Sequence, residues 1–187
     1  MPAELWSTVF AGGTFIVIAA TAVAALIQLR HLRASNQLNA LLTLMRLWQA
    51  PELQQQIAYL RNQLQQKIKE PAFLDEFRVG TPSRMEHPEL LVADFWEQVG
   101  AFMKFDLMDE RSWLDVAAPQ AIDAWNRLEP IVSALRERIG PASFENFEYA
   151  AARATLYMRR HPRGYFPTAT PRMASLKAQD ERSTTTP

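Results

Sequence analysis

The chain opens on one long apolar run and continues as a string of amphipathic periods. Residues 5–29, between Glu4 and Arg30, carry no charge. Twenty-five helical residues extend about 37 Å, enough to cross a hydrocarbon core of about 30 Å with some tilt. After Val9 the only polar residues of the run are Thr14, Thr21 and Gln28, and they form no stripe of the kind a half-buried soluble helix shows. Threonine hydroxyls bond back to their own helix, so they cost little in lipid. The pattern predicts a transmembrane helix over 5–29.

A cleavable leader is the competing reading, because Ala22-Val23-Ala24 offers a small-x-small site. Such leaders need a basic n-region and a short apolar core. Met1 to Trp6 hold no Lys or Arg, which favours a retained anchor. Arg30, His31 and Arg33 follow the span directly, with Arg46 beyond, and nothing basic precedes it except the α-amino group. The positive-inside rule then puts the C-terminal part in the cytoplasm, residues 1–4 outside and Trp6 at the outer interface of a cell (inner) membrane. Gly13, Ala20 and Ala24 fall near one face, but without a clean GxxxG a dimerising span is not favoured.

Past the span, Leu32, Leu38, Leu41, Leu42, Met45 and Trp48 recur at helical spacing as far as Gln49. Ser35 and Asn36 are the one candidate interruption. Pro51 suits a first helical position, and Leu53, Ile57, Leu60, Leu64 and Ile68 then make a stripe, with Arg61 and Lys69 opposite. Residues 71–88 hold turns at Gly80-Thr81-Pro82 and His87-Pro88, beside a short helix carrying Phe73, Leu74 and Phe77. A helix over 88–105 presents Leu91, Phe95, Val99 and Phe102, with Glu89 opposing its dipole. Residues 107–118 suggest a connector with one helical turn at 110–116. Pro119 begins the next helix, which runs through Ile139 and bends at Pro130. Gly140-Pro141 ends it, and Ser143 caps a last helix with Phe144, Phe147, Ala151, Ala154 and Met158 inward. Beyond His161 the chain is rich in Pro, Thr and Ser and has no apolar period.

The expected fold is therefore all-α. One N-terminal transmembrane helix leads into a cytoplasmic bundle of four or five helices over 30–161, followed by a disordered tail over 162–187.

Composition narrows the chemistry. Twenty Lys and Arg balance twenty Asp and Glu, which argues against a general nucleic-acid surface. With no cysteine, disulfides, thiolate catalysis and cysteine metal sites are excluded. His31, His87 and His161 have no second ligand at metal-binding spacing; they suit the membrane flank, a helix start and a helix end. Asp94 and Glu97 share a face, with Asp106, Asp109, Glu110 and Asp115 following. That set would suit a divalent cation and a metal-dependent hydrolase. Phe95 and Trp96 mark the buried side, however, and favour a solvated or ion-paired edge. Phosphate loops, nucleophile elbows and zinc-protease helices are missing, so neither an enzyme nor a cofactor or metal site is expected.

Arg153, Tyr157, Arg159, Arg160, His161, Arg163, Tyr165 and Phe166 are the one concentration of basic and aromatic residues. Basic residues at a helix C-terminus follow from the dipole alone. Contact with anionic lipid, about 1 kcal/mol per charge near the surface, ranks second, and nucleic acid last. Arg153, Arg159, Arg160 and Arg163 are the candidate lipid contacts.

Three stretches, "DFWEQVGAFMKFDLMDERSW", "WNRLEPIVSALRER" and "FENFEYAA", carry a resemblance. With Phe95-Trp96-Glu97 and Val99-Gly100, then Trp125, Leu128, Pro130 and Arg136, then Phe144-Glu145 and Phe147-Glu148, the chain resembles a bacterial family known as domain of unknown function 4760. The resemblance covers roughly residues 38–157. It implies one N-terminal span and a small all-helical cytoplasmic part, and brings no activity or catalytic residue. The functional expectation is a membrane-tethered interaction or scaffold module in a signalling or stress-response assembly. Its partners would be the membrane and another protein or a second copy, with no nucleic acid. A metal-dependent hydrolase built on Asp94 and Glu97 is the alternative.

Overall fold

A computed structural model describes the backbone of residues 3–177 and the side chains of residues 12–177. Among these residues the chain is all-α, a helical bundle behind one long apolar helix. The first helix, α1, runs from Ala3–Gln49 without a break, straight through Ser35 and Asn36. Its portion Gly12–Gln49 is long and apolar enough to cross a membrane, and none of the apolar window is buried in the bundle. Thr21 donates its hydroxyl to the Val17 carbonyl at 2.8 Å, so this polar group is satisfied within the helix. The side chain of Trp6 and the residues from 178 onward lie outside the described residues.

Burial on α1 begins at the level of Gln37. Leu44 is fully enclosed, and Ala40, Leu41, Met45 and Trp48 lean on the core. The Trp48 ring lies 5.3 Å from Phe95 and 5.5 Å from Trp96. The helix that could cross a membrane thus also forms one wall of the bundle.

The second stripe folds as α2 (Pro51–Tyr59), a π turn at Leu60–Leu64 and α3 (Gln65–Lys67). A π turn accommodates one residue more than an α turn and loosens the local carbonyls. Here Arg127 reaches in from a later helix, donating to the Leu60 and Arg61 carbonyls at 3.5 and 3.4 Å. The wider turn lets Leu60 and Leu64 both enter the core. Next, α4 (Pro71–Val79) buries Phe73 and Phe77.

The central three helices are α5 (Leu90–Lys104), α6 (Glu110–Ile139) and α7 (Glu145–Arg160). Trp125 meets Phe147 at 5.1 Å, and further along Asp115 accepts from the Tyr157 hydroxyl at 2.7 Å. The two pairings make α6 and α7 antiparallel. Among the described residues beyond Arg160 there is no long helix, and residues 162–177 are exposed.

Several boundaries differ from the sequence expectations. Residues 110–118 are not a connector: α6 continues from Glu110 and contains Pro119 inside it. Proline there removes one backbone bond, at a cost of about 3 kcal/mol. Burial of Trp113, Leu114, Ala117, Ala118 and Ala121 on the opposite side offsets it. Regular α5 begins at Leu90, not Pro88, with Glu89 at its N-cap position and buried. Ser143 does not cap α7; Phe144 holds the N-cap position with φ 55° and no side-chain bond of its own.

Candidate functional site

Among the described residues, three gatherings of polar side chains take in most of the residues singled out from sequence. The first is the joint between α5 and α7. The Phe147 N–H and the Asn146 side-chain amide both donate to the Glu97 carboxylate, at 2.8 Å each. Glu97 therefore does for α7 what a local cap residue would do, from another helix, satisfying an N-terminal N–H and opposing the positive dipole end. Close approach makes this reach possible. A Cβ at Gly100 would stand 1.8 Å from the Asn146 carbonyl oxygen. Asp94, the other half of the proposed acidic pair, holds Arg84 by two bonds of 2.9 and 2.8 Å. That carboxylate raises the Arg84 guanidinium further above its usual range. Each acid serves a different partner, and no group of three or more His, Asp or Glu with metal-holding geometry occurs among the described residues.

Removing the cap tests its role. Glu97→Ala should lower stability by about 1–2 kcal/mol, read as an earlier thermal transition of the detergent-solubilised chain, with Glu97→Gln losing less. An unchanged transition would show that α7 does not depend on Glu97.

The second place was not legible in the sequence. His87 is 5 % exposed and Glu89 1 %. Imidazole Nδ1 lies 3.0 Å from Glu89 Oε1, and Nε2 lies 2.9 Å from Glu76 Oε2. The Phe77 ring meets the imidazole at 4.3 Å and Phe73 at 5.7 Å. Buried charge survives only when paired and hydrogen-bonded, and this cluster ties α4 to the start of α5.

The third place is a cleft of about 400 Å³ where α1, the α5–α6 turn and the end of α7 meet. Arg160 and His161 line it with Gln37, Asp106 and Arg111. Asp106 pairs with Arg33 and its carbonyl accepts from the Gln37 amide at 3.4 Å. Asp109 caps α6, accepting from the Arg111 N–H at 3.3 Å. Glu110 pairs with Arg153 at 2.7 Å, so this candidate lipid contact is already held by an acid. Burial, and then its bond to Asp115, raises the Tyr157 phenol above its usual range. Arg159 and Arg163 are exposed, as are Arg30 and His31 on α1. Arg111 stacks over the Tyr165 ring at 4.3 Å.

The chain matches the family described as a domain of unknown function, DUF4760, over residues 15–154. It belongs to that family. The match takes in residues 15–29 of the apolar run and the bundle as far as the middle of α7. Comparison with curated proteins found no match, and comparison with solved structures found none.

The residues that carry the family resemblance gather at the α5–α7 joint. Trp96 stacks on Phe147 at 6.4 Å. Arg136 donates to the Ser143 carbonyl at 2.9 Å, pairs with Glu148 at 2.7 Å and lies 5.8 Å over Trp125. In this member of DUF4760 those residues fasten three helices together.

Proposed function

We propose that the protein is a single-pass, membrane-anchored interaction module with its helical domain on the cytoplasmic side. The observation that carries this reading is the unbroken α1, whose apolar stretch over residues 12–29 is exposed while its last turns are built into the bundle. A soluble protein does not leave so large an apolar surface uncovered. Arg30, His31 and Arg33 at the domain end of the span support the cytoplasmic placement.

Its activity is binding. The carboxylates and histidine available for chemistry near the core are spent on structure: Glu97 on α7, Asp94 on Arg84, Glu89 on His87. A shallow apolar depression of about 290 Å³, lined by Leu47, Leu53, Leu91 and Phe95 at the end of α1, offers a place for a partner's apolar side chains. The partner is another protein or a second copy of the chain, in the setting of a signalling or stress-response assembly.

Native mass measurement from membranes, together with cysteine accessibility, tests the reading. A cysteine at Met85 should be reached by an impermeant maleimide only after the cells are opened, and the chain should leave the membrane in a complex. Labelling in intact cells would overturn the orientation. A strict monomer without a companion would overturn the interaction role.

A further inference from the structure

The helix that carries the anchor also fixes which end of the bundle lies beside it. Arg33 and Gln37 stand four and eight residues beyond Leu29, the last of the uncharged run. At 1.5 Å per residue they lie about 6 and 12 Å past it along the axis. A headgroup layer adds about 5–8 Å to each side of the hydrocarbon core. Asp106 touches both residues, by its carboxylate to Arg33 and its carbonyl to Gln37. The α5–α6 turn is therefore held about 6–12 Å past the end of the uncharged run, at the outer edge of the headgroup layer.

That turn is built like an insertion loop. Phe105 is 67 % exposed and Leu107 50 %, so two large apolar side chains flank Asp106 on the outside of the bundle. Its backbone needs little from water: the Asp106 N–H donates to the Met103 carbonyl at 3.2 Å and the Leu107 N–H to the Phe102 carbonyl at 2.9 Å. This closure requires a left-handed residue, and Asp106 has φ 56°. Glycine is the usual occupant of such a position, whereas aspartate here supplies the carboxylate that Arg33 uses. With these N–H groups satisfied, moving the turn out of bulk water costs less. Beside it, Arg111 and Arg160 line the cleft. The neighbouring acids are already engaged, Asp106 with Arg33, Asp109 as a helix cap, Glu110 with Arg153 and Asp115 with the Tyr157 hydroxyl; Arg111 rests on the Tyr165 ring, and neither guanidinium group has a carboxylate at ion-pair distance among the described residues.

We propose that the 105–107 turn seats in the headgroup layer of an anionic phospholipid bilayer, with Phe105 and Leu107 inserted and Arg111 and Arg160 facing lipid phosphate. The inference rests on α1 spanning the membrane, but not on which side the domain occupies, because the depth is counted along the helix itself. Such a contact gives the domain a fixed stance on the bilayer and leaves its other surfaces free for a partner.

The absence of cysteine makes the test direct. Single cysteines at Val17, Phe105, Leu107 and Met85 would carry an environment-sensitive fluorophore in the full chain, reconstituted in vesicles of phosphatidylcholine and phosphatidylglycerol. Met85 is the control, because it lies just before the start of α5, at the opposite end from Phe105, and is fully solvated. Nitroxide lipids labelled at the headgroup should quench positions 105 and 107 several-fold more than 85, and lipids labelled at the bilayer centre should quench position 17. Quenching at 105 and 107 no greater than at 85, with position 17 quenched, overturns this inference alone. No quenching at position 17 overturns the spanning reading and this inference together. A signal at 105 that is the same without phosphatidylglycerol overturns the role assigned to Arg111 and Arg160.

Discussion

Gly100→Ala should destabilise the domain by about 3 kcal/mol, lowering Tm by on the order of 10 °C for a chain of this size. The reason is positional. A methyl group there would sit 1.8 Å from the Asn146 carbonyl oxygen, and the obstacle is backbone, which cannot rotate away. Relief requires the start of α7 to move off α5, and that movement has further costs. It draws the Phe147 N–H and the Asn146 amide away from Glu97, and it opens the stack of Trp96 on Phe147. Gly13→Ala is the matched control, since nothing lies within 4 Å of a Cβ at that glycine, and it should leave the transition of the bundle unchanged. Differential scanning of the detergent-solubilised chain, followed by tryptophan emission, measures both. Equal transitions for the two variants would mean that α5 and α7 do not meet as closely as described.

Cutting the His87–Glu89 pair should produce a loss of similar size. Glu89→Ala leaves a buried imidazole facing an empty position, and His87→Ala leaves a buried carboxylate with no partner. Removing one member of a buried pair typically costs about 3–5 kcal/mol, most of it the penalty on the group left behind. Because each single change strands the other residue, the double variant should be far less destabilised than the sum of the two. Glu76→Ala should cost less than either, since the Glu76 carboxylate is largely solvated. Urea unfolding of the four variants decides the matter. Additive effects of the two single changes would contradict the coupling.

The sequence pattern disclosed those elements whose partners are the solvent or the lipid. The uncharged run shows α1, and the four- and three-residue steps from Leu53 to Leu64 show a helix with one buried side. The failures have physical causes of two kinds. The start of α6 was hidden because its inward stripe is largely alanine, at Ala117, Ala118, Ala121 and Ala124. Counting large apolar residues overlooks a helix whose small side chains permit close packing. Pro119, exposed on the outer side, then looked like a beginning.

The second kind is contact between distant residues. Ser143 is a plausible cap by type, but the atom that accepts from α7 belongs to Glu97, fifty residues earlier than the Phe147 N–H it serves. Glu89 at a helix start suggests a dipole partner, and only the fold shows it buried against His87, whose ring in turn meets Phe77. Asp106 carried a weak local signal, an aspartate after Phe102 and before Leu107 at a helix end, where a left-handed closure with an apolar clasp is common. Arg33, seventy-three residues away, gives it a further role.

The central claim is that one rigid helix passes from the bilayer into the bundle. Spin labels placed singly along residues 12–49 of the full chain in lipid vesicles, read by collision with oxygen and with a water-soluble nickel complex, test it most directly. Oxygen contact should dominate through residue 29, nickel contact should rise from Arg30, and from Gln37 both should oscillate with a helical period and reach their minimum at Leu44. Nickel contact throughout residues 12–29, or a loss of the period between 30 and 37, would contradict it.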